Sequence, residues 1–218
     1  VETIREVEPL EHVLSTTKRM INNINKAAGV EKYCGYLGDG NGFRYDLSTL
    51  WEYKGNRKDA IRPVYKTEVA EYILKHHNAQ KDSHYEADDR VIMKAIEVGV
   101  DNSIVITTDK DSYGCPVRVF NPERSDEGVV DCRGFGEIYR GGSRKDAVRG
   151  KGRKFFYWQV ACGDTTDNYK ANCFSDVQWA DLKALDALID CKNDKEALAT
   201  IVDIYKMLYP EPKEVEGW

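Results

Sequence analysis

Four short acidic motifs recur along this chain beside apolar runs: Gly38-Asp39-Gly40, Tyr85-Glu86-Ala87-Asp88-Asp89, Thr108-Asp109-Lys110-Asp111 and Gly163-Asp164-Thr165-Thr166-Asp167-Asn168. Their eight carboxylates stand where strands or tight turns should end, not along a solvated face. Side chains so placed converge on one small volume, and acids that converge repel one another unless cations hold them. The chain therefore needs a fold that delivers several strand ends to one edge.

The hydrophobic pattern supplies such a fold. Leu10, Val13, Leu14, Met20, Ile21 and Ile24 predict an amphipathic helix over residues 10–28. Residues 33–37 read as a short strand ending at Asp39, and residues 64–77 as a helix. A further helix over 86–98 buries Ala87, Val91, Ile92, Ala95 and Ile96, with acids in its first turn, where the helix dipole favours them. Residues 103–107 form the clearest buried strand and run straight into Asp109, and residues 117–120 are the next strand. This alternation predicts an α/β fold with a mostly parallel central sheet flanked by helices, whose sites lie at the carboxyl ends of strands. The glycine-rich stretch 140–154 is strongly basic and reads as a mobile loop suited to phosphate contacts. Residues 155–162 are helical, and helical patterns over 177–189 and 195–208 form the tail, closed by Pro210 and Pro212.

Composition narrows the function. With 218 residues and 41% hydrophobic content, the chain suits a single domain over 1–218 around one core. No apolar run approaches the roughly 18 to 20 residues that span a bilayer, and the start lacks a leader pattern, so a soluble, cytoplasmic protein without membrane contact is expected. The six cysteines include no C-x-x-C pair, which argues against a zinc knuckle or a disulfide framework. His12, His76, His77 and His84 stand outside the acidic motifs, which counts against zinc hydrolysis. A net charge of −5 does not exclude nucleic acid, because the rest of the chain is net positive once the eight carboxylates are set aside as ligands. Hard oxygen donors suit Mg²⁺ or Mn²⁺. Two such ions roughly 3.5 to 4 Å apart suit phosphodiester cleavage.

In order, Leu37-Gly38-Asp39-Gly40, Tyr53-Lys54-Gly55-Asn56-Arg57-Lys58 and the three later acidic motifs resemble the 5′ nuclease superfamily over residues 10–170. That group includes flap endonucleases, the 5′-to-3′ exonuclease domains of bacterial DNA polymerase I and stand-alone exonucleases of tailed phages. The resemblance implies a PIN/5′-nuclease-like fold with a helical arch over 52–82, a basic loop over 140–154 and a helical C-terminal region over 175–210. It implies two Mg²⁺ ions, with Mn²⁺ as substitute. Asp39, Glu86, Asp88 and Asp109 match the first metal site, Asp111, Asp164 and Asp167 the second, and Asp89 a supporting acid. Lys54 and Arg57 match the basic pair at the base of the arch that touches the scissile phosphate. Tyr53, Lys58, Arg144, Lys145, Arg149, Lys151, Arg153 and Lys154 are the expected nucleic-acid contacts.

The implied activity is metal-dependent 5′-to-3′ exonuclease or flap endonuclease action on DNA with a free 5′ end, flaps or RNA-primer junctions, with a DNA polymerase as partner and a bacterial host cytoplasm as location if the chain is viral. A catalytically inactive nucleic-acid-binding relative and a PIN-fold endoribonuclease are the rival readings. The sequence departs from the family twice. Nothing before Glu8 supplies a strand ending in aspartate, so an upstream strand or one ligand is lacking. After Asn168 the chain continues Tyr169-Lys170-Ala171-Asn172, without the family's glycine.

Overall fold

The computed structural model describes residues 7–38, 40, 42–47, 52–57, 61–142 and 147–210. Asp39, Lys58, Arg144 and Lys145 lie outside the described residues. The helices are α1 (Leu10–Ala27), α2 (Arg44–Leu47), α3 (Lys66–His76), α4 (Ala87–Val98), α5 (Arg153–Cys162), α6 (Asp181–Leu188) and α7 (Asp194–Leu208). The strands are β1 (Gly35–Gly38), β2 (Ala79–Asp82), β3 (Val105–Ile106), β4 (Arg118–Phe120), β5 (Val129–Asp131), β6 (Glu137–Arg140) and β7 (Val148–Lys151). The expected α/β class holds. No helix among the described residues is long and apolar enough to cross a membrane.

Parallel pairing occurs in two places. β1 lies parallel to β2, with Gly38 opposite Asp82, and β3 lies parallel to β4, with Ile106 opposite Phe120. α4 packs on both β1 and β3 and so spans the two short sheets. At the carboxyl end of β2, Asp82 accepts hydrogen bonds from the backbone N–H groups of His84 (2.9 Å) and Tyr85 (2.8 Å). That turn aims the chain into α4 and sets Glu86 at its start. β5 returns antiparallel to β4.

The core draws on β3, β4, α5, α6 and α7, with Val117, Val119, Phe120, Leu185, Leu188 and Leu208 essentially sealed. Phe155 and Trp158 of α5 stack at 5.4 Å within it. The basic stretch 140–154, expected as a mobile loop, instead forms the β6–β7 hairpin and the first turn of α5 where it is described. Cross-strand pairing of Glu137 with Lys151, closed by a 3.5 Å ion pair, gives it that order. Gly150 is required there, because a Cβ would come within 2.5 Å of the Glu137 carbonyl oxygen.

The last turn of α5 is held with unusual completeness. A helix leaves its final four carbonyls without intrahelical partners, and here all four are satisfied. Gln159 O accepts from Gly163 N (2.9 Å), Val160 O from the Tyr205 hydroxyl (3.0 Å), Ala161 O from the Trp179 indole (2.8 Å) and Cys162 O from Ala171 N (3.1 Å). The tail helices thus fix the point from which Asp164 emerges. Tyr205→Phe, which leaves the Val160 carbonyl without its donor, is expected to lower stability by about 1 kcal/mol. Urea unfolding of the two proteins checks this.

Candidate active site

Three stretches far apart in sequence meet at one end of the fold. Asp109 follows β3, accepts a hydrogen bond from Asp111 N (2.8 Å) and so bends Thr108-Asp109-Lys110-Asp111 into a tight turn. Asp164 does the same for the turn after α5, accepting from Thr166 N at 2.7 Å. Glu86 precedes α4, and its N–H donates to Asp89 three residues on (3.3 Å), an arrangement that caps the helix start. Short acidic side chains satisfying their own turn amides explain why these sequences fold locally as they do.

The first residues of the predicted arch tie two of these stretches together. The Tyr53 hydroxyl lies 2.9 Å from Glu86 Oε2 and 3.2 Å from Asp167 Oδ2. Lys54 Nζ donates to Glu86 Oε1 at 2.5 Å and stands 3.9 Å from Asp167. Arg57 reaches Asp167 Oδ1 (3.0 Å) and the Thr166 carbonyl (3.1 Å), while Asn56 donates to the Thr165 carbonyl (3.0 Å). Lys54 adopts φ +55°, a conformation uncommon for a residue with a side chain and one that clusters at functional sites. Tyr53 is pushed well above the ordinary phenol range, first by burial and then by its hydrogen bond to Glu86 and the charge of Asp167. It therefore stays a neutral donor.

The acids press on one another. Asp88 is shifted upward by the protein around it and then by the charges of Asp109 and Glu86, with Lys54 opposing. Asp111 is pushed up to about 6 by burial, then by Asp109, with Asp164 and Asp167 adding to the effect and Lys110 opposing it. Half of the Asp111 side chain still reaches solvent, so crowding of charge is the part that a bound cation relieves. The donor set is all oxygen, which fits Mg²⁺ or Mn²⁺. Among the described residues, no three His, Cys, Asp or Glu side chains stand close enough to grip one ion as placed. Glu86, Asp89 and Asp167 are instead paired with Lys54, Arg44 and Arg57.

Two residues missed by sequence reasoning take part. Arg44 of α2 makes a two-pronged bond to Asp89, one arm at 2.8 Å, and lies 3.6 Å from Glu86. Gln159 of α5 donates to Asp111 Oδ1 at 2.6 Å. Neither carries a local signal, since their partners lie 45 and 48 residues away. A Cβ on Gly114 would come within 2.8 Å of the Gln159 side chain, so that glycine lets α5 approach the Asp111 turn.

The expected nucleic-acid contacts separate into groups. Tyr53 sits in the acid cluster. Arg149 pairs with Glu127 (3.1 Å) and Lys151 with Glu137, both partly exposed. Arg153 is committed to a two-pronged bond with Asp194 at 2.7 and 2.9 Å, joining α5 to α7. Lys154 is a correction. It is buried, its ammonium donates to the Ile189 carbonyl after α6 and lies over the Phe135 ring, and it faces the interior of the fold.

No protein-family model matches the sequence, and no curated protein matches it. Among solved structures, the chain is similar to T5 5′-exonuclease with divalent metal ions (zinc) bound, with a TM-score of 0.51 and 17% identity over 90% of this chain and 78% of that one. The chain therefore has a 5′-nuclease-like fold.

Asp111 offers a direct test of the charge crowding. Its folded value of about 6 lies above the ordinary 3.8, so the folded protein takes up the extra proton between those values. Stability from this group is present at low pH and is lost as pH rises through 6. Partial exposure keeps the effect well below the about 1.4 kcal/mol per unit of a sealed group. In EDTA, the stability of Asp111→Asn relative to the wild type is expected to rise as pH goes from about 4 to about 7. A variant no more stable, relative to the wild type, at the higher pH than at the lower refutes the upward shift of Asp111.

Proposed function

We propose that this chain is a metal-dependent 5′ nuclease, hydrolysing DNA phosphodiester bonds from a free 5′ end or at a flap. The observation that carries this reading is the meeting of Glu86, Asp88, Asp109, Asp111, Asp164 and Asp167 with Tyr53, Lys54 and Arg57. The similarity in fold to T5 5′-exonuclease supports it.

In this reading Glu86, Asp88 and Asp109, with Asp39 from the sequence, would hold one divalent ion, and Asp111, Asp164 and Asp167 would hold a second. Divalent ions held there would supply the Lewis acidity that phosphodiester hydrolysis needs. The remaining work falls to the chain's own side chains. Lys54 and Arg57 shield the acids from one another in the metal-free protein, and the same cations receive a scissile phosphate and stabilise charge developing on it. Gln159 holds Asp111 in one orientation. Tyr53 couples the start of α4 to the turn after α5, so that the two halves of the site keep their spacing.

Cleavage of 5′-labelled duplex and flap DNA in Mg²⁺ tests the proposal. Asp111→Asn and Asp164→Asn are expected to lose about a hundredfold or more in rate. Lys54→Ala should lose about 10² to 10³ in kcat, the usual cost of removing one group that stabilises developing charge. Wild-type protein that binds these substrates and leaves them intact in Mg²⁺ and Mn²⁺ points instead to the inactive binding relative. Cleavage of RNA alone points to the endoribonuclease.

A further inference from the structure

A second charged feature lies beside the acid cluster and meets it at Lys110. A cavity of about 240 Å³ opens between the Asp109–Asp111 turn and the end of the β6–β7 hairpin, lined by Lys110, Tyr113, Arg124, Gly141, Gly142 and Arg149 among others. Three cationic side chains therefore face one small space.

Their placement is held by the fold. The Arg124 guanidinium lies over the ring of buried Tyr113, 4.8 Å from its centroid, a cation–π contact that restrains it. Arg149 projects from β7, opposite Tyr139 of β6. Glu127 holds both arginines in register, 3.4 Å from Arg124 and 3.1 Å from Arg149. Glu127 alone cannot neutralise the two guanidiniums that it contacts. Lys110 lies 3.8 Å from Asp111 and belongs to the same turn as the acid cluster. Glycine forms the hairpin wall, where a Cβ on Gly142 would come within 2.8 Å of Ala147 and one on Gly141 within 3.0 Å of the Tyr139 ring. Gly141 and Gly142 thus bring backbone to the cavity wall.

We propose that Lys110, Arg124 and Arg149 form a phosphate subsite that takes a backbone phosphate of the nucleic-acid substrate next to the one held at the acid cluster. The assignment of the strand rests on the nuclease reading, whereas the affinity for phosphate does not. Guanidinium donors suit the oxygens of a phosphate, and Lys110 joins this subsite to the acids as a point charge. The arrangement grips the strand without reading its sequence.

The test measures binding without turnover, in EDTA, so that its outcome is independent of whether Mg²⁺-supported cleavage is found. Fluorescently labelled single-stranded DNA, with either a 5′-phosphate or a 5′-hydroxyl, is titrated with protein over a range of salt. Arg124→Ala is expected to bind about five- to tenfold more weakly at low salt and to reduce the salt slope by about one. Glu127→Gln, which removes the counter-charge, is expected to bind more tightly than the wild type, a sign that damage to the fold does not produce. Equal losses in Arg124→Ala with both probes assign the subsite to a phosphodiester within the strand, and a loss confined to the 5′-phosphorylated probe assigns it to the terminal phosphate. Either result supports the subsite. Unchanged affinity and salt slope in Arg124→Ala, or a Glu127→Gln protein that binds no tighter than the wild type, overturns it.

Discussion

Mutual repulsion among carboxylates is the constraint around which this end of the molecule is arranged. Burial, and then the charges of neighbouring acids from the start of α4, the turn after β3 and the turn after α5, raise the proton affinity of Asp88 and Asp111. The fold tolerates the accumulation because cations from residues 54–57 and α2 are interleaved with the acids. Lys54 contacts Glu86, Arg57 contacts Asp167, and Arg44 contacts Asp89. Each contact also links distant parts of the chain, so the electrostatic balance and the tertiary structure are one system. A partly exposed ion pair contributes little alone, but several that share partners fix geometry.

The sequence was legible where the signal is local. The apolar periodicities that predict α1, α3, α4 and the two tail helices lie within each segment, and the acidic turns carry their own amide-satisfying side chains. Strand β2 was not legible, because Ala79-Gln80-Lys81-Asp82 has no apolar alternation and becomes a strand through its partner β1. The β6–β7 hairpin was obscured for a related reason. Its glycines and cations suggest a loop, yet cross-strand pairing and packing against α5 order it.

Among site residues, the acids and the Tyr53–Arg57 segment stand out in the sequence because they form motifs. Arg44 and Gln159 do not, since their roles depend on partners more than forty residues away. Lys154 shows the opposite error. A lysine in a basic run reads as solvent-facing, but at the first turn of α5 its position on the helix turns it inward, where the Ile189 carbonyl after α6 accepts its hydrogen bond. Charge type is visible in a sequence, whereas the face of a helix on which a charge falls depends on where the helix begins.

Helix α5 acts as a ruler between two acidic turns. Gln159 grips Asp111 from its side, and four residues later Gly163, in a backbone conformation with φ +73° and no space for a Cβ, releases the chain toward Asp164. Each residue of an α-helix advances about 1.5 Å along the axis and turns about a quarter of a revolution or slightly more. A single insertion between those positions would shift the far turn in both distance and azimuth while sparing most of the apolar contacts of the helix. The spacing of the two acidic turns is thus set by a count of residues, and it can vary among related chains only if the aromatic donors that grip the end of α5 move with it.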